Sequence, residues 1–136
     1  MMSIKLSHLG LWCAACALGA CVAQNEMPQP SEGAKLYAEN CTACHGFRAN
    51  EEAVLAGGQT APNLTTISAR NGGVFPRAAV LSQIDGFSRG AHAGEVMPEF
   101  GAELTGPLVP VDIDGTLTPT PRPLAALLVY LEDIQE

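Results

Sequence analysis

The sequence predicts a small all-α domain of about three to five short helices, and three observations carry that expectation. Stretches with helical spacing of apolar residues lie at 32–40, 76–86 and 124–133. One dense cluster of thiol and imidazole side chains, Cys41-Thr42-Ala43-Cys44-His45, follows the first of them. At 136 residues the chain has room for one domain, since single cores of about 100 to 150 residues are the commonest size.

Residues 1–20 stand apart from that domain, because they carry the zones of an export signal. Residues 1–8 contain Lys5 and no acid, and residues 9–20 are uncharged and mostly apolar. That second stretch is shorter than the roughly 20 residues needed to cross a bilayer as a helix. Its end, Leu18-Gly19-Ala20-Cys21, resembles the lipobox of bacterial lipoproteins. The resemblance implies cleavage before Cys21 and lipidation of that cysteine. The acyl chains would hold the protein at a membrane on the periplasmic side. Residues 21–30 then read as a tether. The competing reading is ordinary cleavage after Ala23, which releases a soluble periplasmic protein.

Loss of residues 1–20 leaves six basic against fourteen acidic side chains, a net charge of minus eight. Nucleic acid is thereby excluded as a partner, because binding it needs a basic patch that displaces counterions. Redox partner proteins with a basic docking face suit the charge better. Cys13, Cys16 and Cys21 lie in or at the end of the signal, so Cys41 and Cys44 are the thiols of the body.

The first helix of the body begins near Ser31, expected as N-cap, with Glu32 favourably placed at the positive helix start. Leu36, Tyr37 and Asn40 recur at helical spacing and lead into the cysteine motif. Cys41-Thr42-Ala43-Cys44-His45 is the attachment signature of c-type haem. Two thiols at this spacing meet the two vinyl groups on one porphyrin edge, and the adjacent His45 reaches the iron as proximal ligand. Two other chemistries use a similar spacing. A structural zinc site wants four N or S ligands, and beyond these three the exported body adds only His92. A thioredoxin-type dithiol would sit between a strand and a helix, whereas this motif follows a helical segment.

Residues 31–136 resemble a class I c-type cytochrome, a mono-haem cytochrome c domain. The likeness rests on the haem signature, on Glu32-Gly33-Ala34-Lys35-Leu36-Tyr37 before it, on Ala61-Pro62-Asn63-Leu64, and on Met97-Pro98-Glu99-Phe100-Gly101. It implies one covalent haem c on Cys41 and Cys44, with Pro62 accepting a hydrogen bond from His45 and Leu64 packing on the ring. It also implies that Met97 is the second axial ligand of the iron. His92, in the same glycine-rich stretch, is the alternative to Met97.

The remaining elements follow in order. Residues 48–61 read as an exposed loop with one helical turn at 51–56, and 63–70 as a further turn stopped by Asn71-Gly72-Gly73. Residues 76–86 have Pro76 near the start, apolar side chains at 80, 81 and 84, and Gly86 as C-cap. Residues 111–118 alternate apolar and polar around Asp114-Gly115, the pattern of a small β-hairpin. Flanked by five prolines, the 106–123 segment is expected to form a stiff flap over one haem edge or part of a docking surface. Residues 124–133 have strong helix formers and a wide apolar face, and their resemblance to the family's terminal helix implies that this helix crosses the first and brings Tyr130 near Gly33 and Tyr37. With both axial positions filled, the iron suits outer-sphere electron transfer, so the expected role is a one-electron carrier and not an enzyme. Alternatives are an electron-transfer subunit of a periplasmic dehydrogenase or oxidase complex, and a haem sensor with a displaceable sixth ligand.

Overall fold

The computed structural model describes residues 26–87 and 96–136. The expected export signal, the expected lipidation site Cys21 and the alternative ligand His92 lie outside the described residues. Helix α1 spans Pro30–Asn40, α2 Thr42–His45, α3 Ile67–Arg70, α4 Arg77–Asp85 and α5 Arg122–Asp133, with a 3₁₀ turn at Ala56–Gly58. An antiparallel hairpin, β1 (Leu108–Ile113) and β2 (Thr116–Pro121), precedes α5. The fold is therefore not purely all-α. Among the described residues no helix is long and apolar enough to cross a membrane.

Helix α1 starts one residue before Ser31. Pro30 takes a first-turn position, where its fixed φ suits the helix and its missing N–H is not needed. Gln29 is the N-cap: its backbone N–H donates to Glu32 Oε1 at 3.2 Å, and the Glu32 N–H donates to the Gln29 carbonyl at 2.9 Å. Upstream, Met27 packs against the core and Pro28 is buried, so the end of the expected tether is docked on the domain.

Helices α1 and α5 form the main packing contact. Gly33 lies so close to the facing helix that a Cβ there would sit 2.0 Å from the Ala126 carbonyl oxygen. Beside this crossing the Tyr37 and Tyr130 rings stack at 5.3 Å between centroids, tilted by 49°. Arg122 clamps Glu32 through two bonds of 2.8 and 3.1 Å and holds the Glu26 carbonyl at 2.7 Å. The guanidinium keeps the Glu32 carboxyl below its ordinary pKa. A second fork, Arg77 on Glu132 at 2.7 and 3.1 Å, joins α4 to α5, and Arg77 also reaches the Asp112 carbonyl in β1.

The hairpin is longer than the expected 111–118, because its strands extend through prolines. Asp114 (φ 52°) and Gly115 (φ 83°) form the two-residue turn, and both central positions have the positive φ of a type I′ turn. Pairs alternate outward from Ile113↔Thr116, which puts Pro110, Pro119 and Pro121 at positions whose backbone N sites face away from the partner strand. Proline there removes no ladder bond and leaves no outward donor for an added strand. Val109 and Val111 turn inward and join Leu124, Leu127 and Leu128 in the core.

Candidate haem site

The backbone of Cys41 ends one helix and begins the next. Its N–H donates to the Tyr37 carbonyl at 2.9 Å, while its own carbonyl accepts the His45 N–H at 3.0 Å. This brief turn puts both thiols and the imidazole at the end of α1. Cys41 and Cys44 are not joined in a disulfide. Burial, with a smaller contribution from Cys44, pushes the Cys41 thiol up to about 11. It is thus protonated at neutral pH, unlike the activated thiolate of a dithiol oxidoreductase. Among the described residues no three His, Cys, Asp or Glu side chains converge as a metal-binding group.

His45 is buried, and its Nδ1 lies 3.1 Å from the Pro62 carbonyl oxygen. A carbonyl only accepts, so Nδ1 carries the proton and the Nε2 lone pair is left for a metal. Burial pulls the His45 pKa down, while the Pro62 bond works in the opposite direction. The neutral imidazole is the form that ligates. Several contacts bring Pro62 to this point. Tyr37 donates its hydroxyl to the Gly46 carbonyl at 2.8 Å, and Leu64 N–H donates to the Ala49 carbonyl at 2.7 Å. Asn63 Oδ1 accepts from both the backbone N–H and the hydroxyl of Thr65 at 2.8 Å. The expected helical turn at 51–56 is absent: Val54 bridges Thr60 around the positive-φ pair Gly57 and Gly58.

Met97 is supplied by the segment between α4 and the hairpin. Its segment is stapled to the end of α4, with Phe100 N–H on the Ile84 carbonyl at 3.0 Å and Gly101 N–H on the Asp85 carbonyl at 3.2 Å. A Cβ on Gly101 would lie 2.7 Å from the Asp85 carbonyl oxygen, so the close approach requires glycine.

Cys41, Cys44, His45, Pro62, Leu64 and Met97 all line one cavity of about 570 Å³. The rest of its wall is mainly apolar, with Ile67, Val80, Ile84, Phe100, Leu127 and Leu131 among its members. Two thiols, an imidazole with a free Nε2 and a thioether in one apolar chamber fit a flat, largely apolar macrocycle holding a soft iron. No residue of 108–121 lines the cavity, so the hairpin is not a flap over it. Arg70 and Gln83 also line it, and neither is marked by a motif. Arg70 is held by the Asn63 carbonyl at 2.8 Å and by the Thr66 hydroxyl. Gln135, past the end of α5, fixes the loop under His45 by donating to the Leu64 carbonyl and accepting from the Ser68 N–H, at 2.8 and 2.9 Å.

A family model described as cytochrome c oxidase, cbb3-type, subunit III matches residues 28–107. The matched stretch contains every lining residue named above except Leu127 and Leu131, and it ends where the hairpin begins. No curated protein and no solved structure matches.

Proposed function

The chain belongs to the cytochrome c oxidase, cbb3-type, subunit III family, whose class I cytochrome c domain carries one covalent haem c, and on that premise we propose that it is a one-electron carrier facing the periplasm. The observation that carries this reading is the pair of donors in one cavity. His45 has its Nδ1 engaged by Pro62 and its Nε2 free, and the Met97 thioether shares the same chamber. When bound, the haem supplies a ferric/ferrous couple that passes single electrons. Cys41 and Cys44 would attach it covalently, and His45, its tautomer set by the Pro62 carbonyl, would supply an imidazole nitrogen to the iron. Met97 would supply a neutral, soft thioether, which favours the ferrous state. Leu64 would pack against the group, and the apolar wall would limit water and hence the reorganisation that accompanies electron transfer.

The test is the visible spectrum of protein made in a host with c-type maturation, together with carbon monoxide binding. Sharp low-spin c-type bands on reduction, a weak sulfur-to-iron band in the red when oxidised, and slow, partial binding of carbon monoxide are expected at neutral pH. Rapid binding to most of the reduced sample would replace the carrier with the sensor reading.

A second reading, an electron-transfer subunit of a larger periplasmic complex, is favoured by the outer face of the hairpin. Leu108 is 58 % and Leu117 66 % exposed, on the same face as the exposed Pro110 and Pro119. A largely apolar, proline-stiffened face of this kind, with the exposed Asp112 opposite Leu117, is suited to burial against another subunit. The double variant Leu108→Lys, Leu117→Lys is expected to keep the spectrum and lose co-purification with such a complex. An unchanged complex would return the hairpin to a purely internal role. The lipid anchor on Cys21 and the periplasmic location complete the proposal. Mass spectrometry of the exported N-terminus is expected to find a modified Cys21, whereas a free Gln24 would mean a soluble protein.

A further inference from the structure

Gln83 and Met97 are 14 residues apart in sequence, yet Gln83 Nε2 lies 3.8 Å from Met97 Sδ, and both line the cavity. We propose that Gln83 is a positioning residue for the axial thioether, donating its amide N–H to the Met97 sulfur and so raising the reduction potential of the haem. The inference rests on the reading of Met97 as iron ligand.

Four features support it. The two side chains belong to one rigid unit, because Gln83 is near the C-terminal end of α4 and the Met97 segment is stapled there through Phe100 on Ile84 and Gly101 on Asp85. The 3.8 Å separation is within the range of a weak hydrogen bond to sulfur. A thioether has two lone pairs, so one serves the metal and the other remains for a donor. The setting is also apolar, with Val80, Ile84 and Phe100 lining the same chamber. Gln83 is part-buried there, and in such surroundings a donor contact to sulfur is less weakened by competing water than at an open surface. The consequence for the couple follows from charge: a donor on sulfur withdraws electron density from the metal, which penalises the ferric state more than the ferrous one. The amide is neutral, so it biases the couple without placing a charge in the pocket.

The measurement is a redox titration of the haem-loaded protein, following the spectrum of wild type, Gln83→Leu and Gln83→Asn. Leucine removes the donor at similar volume, and asparagine keeps the amide but withdraws it by one methylene. At a fixed solution potential both variants are expected to raise the oxidised-to-reduced ratio about threefold, roughly 28 mV for a one-electron couple. The red sulfur-to-iron band is expected to persist but shift. Should both variants keep the wild-type ratio while the band persists, the role of Gln83 is overturned and Met97 stays as ligand. A wild-type protein with no such band overturns Met97 as ligand, and Gln83 with it. If the leucine variant fails to load haem, the asparagine variant decides.

Discussion

Alanine at Gly33 is expected to cost the folded protein about 3 kcal/mol or more, the upper end of what overpacking a core does. The added Cβ would lie 2.0 Å from the Ala126 carbonyl oxygen and 2.5 Å from Tyr130 Cβ. The first is backbone, so relief requires α1 and α5 to separate instead of one side chain turning aside. Separation would also pull apart the Tyr37 and Tyr130 rings and open the wall that Leu127 and Leu131 give the cavity. The better helix propensity of alanine recovers up to about 1 kcal/mol and leaves a large net loss. Gly72→Ala is the control. Nothing lies within 4 Å of its Cβ position, and only its φ of +69° opposes the substitution, at about 1 to 2 kcal/mol. Urea unfolding of the haem-loaded proteins checks both, with a far lower midpoint for Gly33→Ala. Equal midpoints would mean that the crossing adjusts and that Gly33 is not what sets its distance.

That crossing was legible through the likeness of residues 32–41 and 124–133 to the family's first and last helices, which places Gly33, Tyr37 and Tyr130 at their contact. Other features were legible only in part. Asp114-Gly115 announces the hairpin turn, but Pro110 and Pro119 read locally as strand breakers. Only the pairing register reveals that both fall where no N–H is needed. Similarly, Ser31 reads as the better cap, while Pro30 at the first helical position puts the N-cap back at Gln29. The turn expected at 51–56 yields to Gly57 and Gly58, whose positive φ values bend the chain into the Val54 to Thr60 bridge. Within the site, the Cys41, Cys44 and His45 set is read from local spacing, and Met97 from the likeness of 97–101 to the family's distal segment. Pro62 and Leu64 are marked only through the family likeness. Gln83, Arg70 and Gln135 carry no signal of their own. Their positions depend on where α4 meets the Met97 segment, where α3 meets the Asn63 turn and where α5 ends against the Leu64 loop, all products of tertiary packing.

Met97→Ala is expected to lower the reduction potential by a sizeable part of the roughly 0.8 V range that axial ligands span. The reason lies in the donor that is lost. Thioether coordination opposite an imidazole favours the ferrous state, and its removal leaves water or an incoming base, either of which suits ferric iron better. The variant is expected to lose the red band and to bind carbon monoxide quickly when reduced. Its fold is expected to survive, because Met97 is only partly buried and the Phe100 and Gly101 bonds to α4 remain. His92→Ala provides the opposing arm, with potential, band and slow carbon monoxide binding all at wild-type values. The reverse pattern, in which Met97→Ala is silent and His92→Ala lowers ligand-field strength, would assign the sixth position to His92. The couple would then be bis-histidine, with a lower potential. Gln83 would lose its influence on the iron, since its contact is with the methionine sulfur. The same pair of variants therefore decides both which side chain completes the site and whether α4 can tune it.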